Sequence, residues 1–431
     1  MGWNSWDCYG TTVTEAEVLA NAEFMAAHLL AAGWDTIVVD ICWYDPDAHR
    51  HGYTDGTSIR LDDWGRQLPA TNRFPSAAGG AGFGPLAAKV HALGLRFGLH
   101  IMRGIPRRAV ELDLPVLGTT WSARDVADVS SACPWNEDNY GLNHDHPGAQ
   151  AYYDAQLAQF ASWGVDFVKA DDMLTPYHDR EIAAYATAVS RCGRPMVLSL
   201  SPGDDLSVEH LSHLRASAQM WRVSGDLWDR WPDVLAQFAR MAVWAPLQQP
   251  GAWADADMLP LGRIGIRAEL GEDRESRLTP AEQQTLLTLW VMSRSPLMMG
   301  GDLPTSSPAT IELLTRSAVL DVLTESSGNR ELARTALYGE GDSDGEGDGE
   351  LIVWGADRLK DHTRYVAVFW TGTRARTLTV PLATLESDSR RTSLASGTDL
   401  WTRDEVALAG DTLTVDVAAH GVRLVRLSPA P

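Results

Sequence analysis

The sequence has few cysteines, few basic residues and no long apolar run. Its 431 residues include four cysteines, which are scattered and form neither a CxxC pair nor a Cys/His zinc spacing. A disulfide framework and a structural zinc site are therefore not expected. No stretch approaches the roughly 18 consecutive apolar residues of a membrane span. Lysine and arginine number 36 against 57 aspartates and glutamates, a net charge of −21. Such a surface repels phosphate backbones and anionic membranes, so neither is expected as a partner.

Motifs for cofactors and export are also missing. Neither a GxGxxG fingerprint nor a P-loop occurs, which counts against a nucleotide-binding sheet, and no cofactor or metal is expected. The chain begins Met1-Gly-Trp-Asn-Ser-Trp6, without a basic n-region or an apolar h-region. A cytoplasmic location is therefore expected, or a secreted one if a leader was trimmed.

Tryptophan is abundant, with 17 residues against 8 phenylalanines and 10 tyrosines. Its flat apolar face suits stacking on sugar rings, and it suits core packing equally well. Apolar residues make up 45% and charged residues 22% of the chain, which is typical of a folded globular protein.

Short apolar, β-rich runs alternate with helical patterns over the first 300 residues. The runs cover 36–40, 95–100, 165–171, 195–200, 218–222 and 295–300. The helical patterns cover 14–33, 85–93, 149–163, 180–190 and 232–243, and the first of these opens with a Thr14/Glu17 capping box. Repeated strand–helix alternation indicates a parallel sheet. With seven or eight such units, residues 1–322 are predicted to form a (β/α)8 TIM barrel that carries the catalytic groups.

The pattern changes after residue 322. Residues 339–350 are acidic and glycine-rich, and we interpret them as a flexible solvated loop, because the carboxylate spacing is irregular for a calcium loop. Short strands follow at 351–354, 365–370, 376–380, 412–417 and 422–427. This spacing is typical of an antiparallel β-sandwich, so a second domain is predicted over 323–431.

Reactive groups of a (β/α)8 barrel lie at the carboxyl ends of its strands. Lys169 and Asp171 are two residues apart on one predicted strand and project to the same side, so the lysine charge would keep Asp171 ionised. Asp226 follows a different strand, where another environment suits acid catalysis. Two carboxylates in different environments are typical of a glycoside hydrolase. For Asp172 and Asp302 we favour a structural role as caps of the following helices.

The chain also resembles the α-galactosidase (melibiase) family of retaining glycosidases. Five motifs that carry the resemblance occur in the family's order, Met1-Gly-Trp-Asn-Ser-Trp6, Val39-Asp-Ile-Cys-Trp43, Gly164-Val-Asp-Phe-Val-Lys-Ala-Asp171, Trp221-Arg-Val-Ser-Gly-Asp226 and Trp253-Ala-Asp-Ala-Asp-Met-Leu259. The family architecture, a (β/α)8 barrel followed by an antiparallel β domain, matches the whole chain.

The resemblance implies catalytic roles. Asp171 would be the nucleophile and Asp226 the acid/base. Lys169 and Arg222 would form hydrogen bonds with the sugar hydroxyls. No metal takes part in this mechanism.

The resemblance also implies a binding site for the sugar. Trp6 would form one wall, and Asp40 would hold the C4 side of the ring. Trp43 belongs to the same substrate-binding motif as Asp40, and Asp257 matches the family's Asp-x-Asp-Met-Leu loop, for which we derive no role.

Four positions depart from the family pattern. Ile41 replaces the second carboxylate of Asp-Asp-Cys-Trp, and His100 replaces a tyrosine at the end of the third strand. Ser201 begins a Ser-Pro-Gly segment where many members place a glutamate near O2. Met173 replaces a cysteine, so that the family disulfide is absent.

Ile41 bears on the substrate, because a β-L-arabinopyranoside is an α-D-galactopyranoside without its C6 hydroxymethyl group. A carboxylate facing O6 would lie unpaired over the pentose, whereas Ile41 fits the bare ring edge. The sequence therefore favours an exo-acting β-L-arabinopyranosidase with residual α-galactosidase activity. The alternative is a plain α-galactosidase or α-N-acetylgalactosaminidase, in which His100 or Asp45 contacts O6.

Two further classes of function stay open. A metal-dependent lyase would use Asp171, Asp172, Asp255 and Asp257 as oxygen ligands. A non-catalytic sugar-binding protein would use the tryptophans alone. For the favoured hydrolase, small glycosides or oligosaccharides are the expected partners, and a homo-oligomer is possible.

Overall fold

The computed structural model describes residues 1–338, 348–358, 360–361, 363–385 and 394–429. The chain divides into two compact units. The first contains Met1–Asp226, Pro260–Ser276 and Leu297–Pro308, and the second contains Leu227–Leu259, Arg277–Pro296 and Ala309–Pro431. Both units are discontinuous in sequence, and the single boundary at residue 322 remains a prediction.

An eight-stranded parallel sheet forms the framework of the fold, which confirms the predicted (β/α)8 architecture. Seven of its strands lie in the first unit, in the order Met220–Arg222, Val197–Leu200, Phe167–Asp171, Arg96–Met102, Thr36–Val39, Gly2–Asn4 and Met298–Met299. The eighth, Trp253–Asp255, is counted with the second unit. The strand Thr36–Val39 is buried along its whole length, as its β-branched residues predict. The parallel register pairs Lys169 with His100 on one neighbouring strand and with Ser199 on the other.

Four helices of the first unit, Glu15–His28, Gly84–Ala92, Pro147–Ser162 and Asp179–Arg191, agree with the predicted helical patterns, whereas the four shorter ones in this unit were not predicted. The Thr14/Glu17 capping box is formed, with the Thr14 amide donating to Glu17 Oε2 at 2.9 Å. Gly33 follows this helical segment in the left-handed conformation, with φ of 92°. The helices are Trp6–Tyr9, Glu15–His28, Gly84–Ala92, Arg107–Glu111, Ala123–Val126, Pro147–Ser162, Asp179–Arg191 and Leu211–Ser217.

Two small antiparallel sheets of the first unit are not predicted by the sequence. One contains Ile105–Pro106, Asn139–Leu142 and Ala127–Ala132, and the other pairs Arg263–Ile264 with Arg274–Glu275. Their strands are short and lack alternation, so a pattern of period two does not reveal them.

The second unit contains two antiparallel sheets, which confirms the predicted β-sandwich. The first sheet has the order Ser326–Leu337, Gly349–Arg358, Arg364–Trp370, Val422–Pro429, Leu394–Asp399 and Glu405–Val406; the second has the order Arg376–Pro381, Thr412–Val417 and Leu408–Ala409. Val366, Val368 and Trp370 share a core with Val380 of the second sheet. Phe369, on the opposite face, contacts Phe238 with ring centroids 4.9 Å apart.

The helices of this unit are Trp231–Trp244, Pro280–Ser293, Pro308–Thr315, Ser317–Glu325 and Leu382–Leu385, although the first residue of Pro308–Thr315 is counted with the first unit. Within the predicted acidic loop, residues 339–347 lie outside the described residues. The prediction is wrong at its C-terminal end, because Gly349 and Glu350 begin the strand Gly349–Arg358, where Glu350 donates its amide to Thr371 Oγ1 at 2.7 Å.

Candidate active site

A cavity of about 350 Å³ lies in the first unit and collects residues that end or follow the parallel strands. This volume is at the lower end of the range of roughly 300–1,000 Å³ typical of small-molecule sites. Its lining is Trp6, Asp40, Ile41, Tyr53, His100, Trp135, Lys169, Asp171, Pro202, Asp204, Gly225, Asp226 and Glu269. Seven of the eleven site residues predicted from the sequence are therefore brought together in one pocket.

Asp171 is the last residue of its strand and is largely buried, with its side chain 14% exposed. Its Oδ2 lies 2.9 Å from His100 Nε2, and its Oδ1 accepts the Asp172 amide at 2.9 Å. Burial opposes ionisation of Asp171, but the hydrogen bond from His100 and the charge of Lys169 outweigh it and hold the pKa well below its usual range. Asp171 is therefore an ionised carboxylate oriented by two donors.

Asp40 and Lys169 form a buried ion pair at the base of the cavity. Lys169 Nζ lies 3.0 Å from Asp40 Oδ2, which also accepts from Asn4 Nδ2 at 2.7 Å. Burial raises the pKa of Asp40, but the Lys169 charge and these donors bring it below its usual value. The carboxylate thus has a fixed orientation and a fixed charge.

Ile41 lines the cavity next to Asp40 and is 2% exposed. Its amide donates to Asp40 Oδ1 at 2.9 Å. The following residue, Cys42, has a positive φ of 63°, and its carbonyl accepts a hydrogen bond from buried Arg73. Arg73 also binds the carbonyl of Asp45 at 2.8 Å. These bonds hold the segment after the strand in one conformation and so fix the position of Ile41.

Asp226 differs from Asp171 in its surroundings. It follows the strand Met220–Arg222, its side chain is 45% exposed, and its Oδ1 lies 3.2 Å from an Arg222 guanidinium nitrogen. Asp171 is thus buried and strongly bonded whereas Asp226 is solvent-accessible, a difference in environment that suits a nucleophile and a general acid/base, respectively.

Trp43, Ser201, Arg222 and Asp257 are not among the cavity-lining residues. Trp43 is fully buried in an aromatic core, where its Nε1 donates to the His100 carbonyl at 2.7 Å. Ser201 is also buried. Arg222 is outside the lining but forms an ion pair with the lining residue Asp226 at 3.2 Å. Asp257 accepts the Leu227 amide at 2.7 Å within the second unit.

The expectation that Asp172 and Asp302 cap the following helices is wrong. Asp172 forms a 2.8 Å ion pair with Arg103, and the next helix has His178 at its N-cap position. Asp302 precedes a short 3-10 helix without a side-chain capping bond and accepts instead from the Tyr9 hydroxyl at 2.5 Å. Both carboxylates are buried, and buried charges are paired or hydrogen-bonded.

Sequence reasoning missed four polar or aromatic members of the lining: Tyr53, Trp135, Asp204 and Glu269. All lie outside the parallel strands, on segments with no periodic pattern. The abundance of tryptophan was the one available signal, since Tyr53 lies between Trp6 and Trp135 with ring centroids 6.3 Å and 5.8 Å away.

Comparisons with known proteins agree with this geometry. The family model described as alpha galactosidase A matches residues 139–325, and that of the alpha galactosidase C-terminal beta sandwich domain matches 348–427. A GH27 β-L-arabinopyranosidase from Geobacillus stearothermophilus is 44% identical, with a TM-score of 0.93 over 100% of this chain and 96% of that one. A candidate α-N-acetylgalactosaminidase from Bacillus halodurans is 41% identical, with a TM-score of 0.86 over 100% and 97%. An α-galactosidase from Cyamopsis tetragonoloba is 23% identical over 100% of this chain and 86% of its own length.

The chain thus has the fold and carboxylate site of a glycoside hydrolase. It belongs to the GH27 family, which includes α-galactosidases and β-L-arabinopyranosidases, and whose retaining mechanism is consistent with this site. This assignment favours the hydrolase over the lyase and the non-catalytic binding protein. Among the described residues, no helix combines the length and the apolarity that crossing a membrane requires.

Proposed function

We propose that this chain removes terminal β-L-arabinopyranosyl residues from small glycosides, with α-D-galactopyranosides as slower substrates. The observation that carries the proposal is Ile41, which lies buried in the pocket wall beside the Asp40 carboxylate. A branched apolar side chain suits a ring edge without a hydroxymethyl group, because it leaves no polar group unpaired there. The similarity to a GH27 β-L-arabinopyranosidase supports the same substrate.

The mechanism is a double displacement. Asp171 attacks the anomeric carbon while Asp226 donates its proton to the glycosidic oxygen, so that the bond to the leaving group breaks and a glycosyl ester forms. Asp226 then takes a proton from water, whose oxygen attacks the anomeric carbon and releases Asp171. Burial raises the pKa of Asp171, but the hydrogen bond from His100 and the charge of Lys169 lower it by more, so the nucleophile stays ionised.

The sugar is held by the groups at the base of the cavity. Asp40 accepts hydrogen bonds from the C4 side of the ring, and Lys169 donates to neighbouring hydroxyls. Trp6 provides an apolar wall, and its buried Nε1 has no hydrogen-bond partner among the described residues, so a sugar hydroxyl would satisfy it. Arg222 acts on the site through its contact with Asp226.

An α-galactosidase would need another acceptor for O6, and two residues were considered for it. Asp45 is outside the lining and accepts from Ser58 Oγ at 2.5 Å and from Thr54, which favours the pentoside. His100 binds Asp171 through Nε2, whereas its buried Nδ1 has no hydrogen-bond partner among the described residues. His100 is therefore the residue through which the alternative substrate would be bound.

A panel of nitrophenyl glycosides tests the proposal. We expect the highest kcat/KM with the β-L-arabinopyranoside, a lower value with the α-D-galactoside, and none with the α-glucoside. A higher value with the galactoside or the α-N-acetylgalactosaminide would reassign the substrate. A folded protein that cleaves none of them would be a binding protein instead.

A further inference from the structure

The pocket has an aromatic wall that extends from its base to the protein surface. Trp6 is 6% exposed and lies parallel to Tyr53, with ring centroids 6.3 Å apart and planes at 15°. Tyr53 in turn lies 5.8 Å from Trp135, which is 37% exposed. All three line the same cavity. The wall thus runs from a buried ring, Trp6, to a partly exposed one, Trp135.

The outer part of this wall lies on the side to which a leaving group would point. The nucleophile Asp171 is largely buried, whereas Asp226, which protonates the leaving oxygen, is 45% exposed. A sugar bound between them therefore directs its aglycone toward the open rim. Trp135 is an exposed apolar surface at that rim, and a ring that stacks on it would remove the surface from water.

The Glu269 carboxylate also lines the pocket, and contacts with residues 8–10 hold the segment that carries it. The neighbouring Arg267 donates its amide to the Cys8 carbonyl at 2.9 Å, and its guanidinium lies over the Tyr9 ring at 5.2 Å. Gly10, with φ of +53°, allows the close approach, because a Cβ there would lie 3.1 Å from the Glu269 amide nitrogen. The backbone that carries Glu269 is therefore fixed.

The side chains that line the rim include carboxylates but no cation. Asp204, Asp226 and Glu269 line the cavity there, Lys169 is paired with Asp40 at the base, and Arg222, which is outside the lining, pairs with Asp226. Burial and then the charge of Asp226 raise the pKa of Glu269. Such a rim accepts hydrogen bonds from hydroxyl groups and repels anions.

We propose that Trp135 and Glu269 form a leaving-group subsite that binds a neutral, hydroxylated ring such as a second sugar and discriminates against an anionic one. Trp135 supplies the stacking face, and Glu269 accepts a hydrogen bond from a hydroxyl group of the leaving group. This inference rests on the proposed function, because it needs a glycoside bound at Asp171.

The first test separates the two sides of the pocket with two substrates. In a glycosyl fluoride the leaving group is too small to reach Trp135, whereas in a disaccharide it is a full ring. We expect Trp135→Ala to lower kcat/KM for the disaccharide about tenfold while leaving the fluoride unchanged. Trp64→Ala is the control, since Trp64 is 36% exposed and outside the cavity lining. Equal effects on both substrates, or no effect on either, would overturn the subsite.

The second test addresses charge with aryl glycosides whose phenol carries either a carboxylate or its methyl ester. We expect Glu269→Gln to reduce the preference for the ester about fivefold at low salt and less at high salt, because screening weakens repulsion. Glu272→Gln, an exposed position on the same segment, should not change the ratio. An unchanged ratio in Glu269→Gln rejects the role of this residue. Failure of the wild type to hydrolyse any fluoride would instead reject the proposed function, and the subsite with it.

Discussion

Lys169 Nζ lies 3.0 Å from Asp40 Oδ2, although the two residues belong to segments separated by a whole strand of the sheet. The strand between them, Arg96–Met102, carries His100, which binds Asp171. Three neighbouring strands thus bring the pairs Asp40–Lys169 and His100–Asp171 into one pocket. Asp40 and Lys169 are 2% and 13% exposed, so their ion pair is protected from solvent screening.

The first prediction concerns this ion pair. Replacing Lys169 by Met leaves the Asp40 carboxylate buried without its cation, and we expect the free energy of unfolding to fall by about 3–5 kcal/mol. The double variant Asp40→Asn/Lys169→Met should recover part of this loss, because no buried charge remains. Denaturant unfolding measures both changes.

The exposed pair Arg180–Asp145, at 2.8 Å, provides the control. Arg180→Met should change stability by less than about 1 kcal/mol. If the effects of Asp40→Asn and Lys169→Met simply add in the double variant, the two groups do not stabilise each other and the interpretation is wrong.

The second prediction concerns the catalytic carboxylates. Asp171→Ala should abolish turnover, and Asp226→Ala should lose about 10²–10⁴-fold with poor leaving groups but little with activated ones, since only poor leaving groups need the proton. NMR of the first-formed sugar should show retained configuration. Inversion in the wild-type reaction would exclude Asp171 as a nucleophile.

A third prediction uses Asp172, which lies next to the nucleophile but pairs with Arg103. Burial raises the pKa of Asp172 to about 6, with the charge of Asp171 adding to the rise and Arg103 opposing it. A carboxyl group whose pKa is higher in the folded state contributes stability that is present below about pH 4 and is lost as pH rises through about 6.

Asp172→Asn removes this titration. Between pH 4 and pH 6.5 the stability of the variant relative to the wild type should therefore increase by roughly 3 kcal/mol, at about 1.4 kcal/mol per pKa unit. Unfolding curves across this pH range measure the difference. Parallel pH dependences for the two proteins would show that Asp172 titrates normally.

The sequence predicted the strands of the parallel sheet well, because β-branched runs such as Thr36–Val39 and turn signals such as Gly33 are local features. The helix Pro280–Ser293 was missed for a physical reason. Ten of its fourteen residues are buried, so apolar residues occur all around it and no amphipathic period is visible. The strand Ser326–Leu337 was missed because its residues are mostly half-buried and polar.

The site was predictable as far as residues occur at strand ends. Asp40, Lys169 and Asp171 follow from topology, since parallel strands bring their carboxyl ends together. Trp43 is only two residues from Ile41, yet it is outside the cavity lining and its Nε1 donates to the His100 carbonyl. Glu269 enters the pocket from a long loop, and the contacts that place such a residue are not encoded in any local pattern.

The last prediction concerns Ile41 and the ring edge that it faces. Because its amide is bonded to Asp40 Oδ1 and Arg73 binds the carbonyl of Cys42, the position of residue 41 is set by the backbone and not by its own side chain. Ile41→Asp should therefore place a carboxylate where Ile41 now lies. That carboxylate would accept a hydrogen bond from O6 of a galactoside and would lie unpaired over a pentoside.

A hydrogen bond to a charged group is worth about 1.5–3 kcal/mol, or roughly one to two decades in the ratio of kcat/KM values. We expect the variant to shift this ratio toward the α-D-galactoside by that amount, whereas Ile41→Val, which keeps the site apolar, should leave it nearly unchanged. Kinetics on the two nitrophenyl glycosides measure the ratio directly. An unchanged ratio in Ile41→Asp would show that Ile41 does not determine specificity, and a wild type that already prefers the galactoside would show that the enzyme is an α-galactosidase.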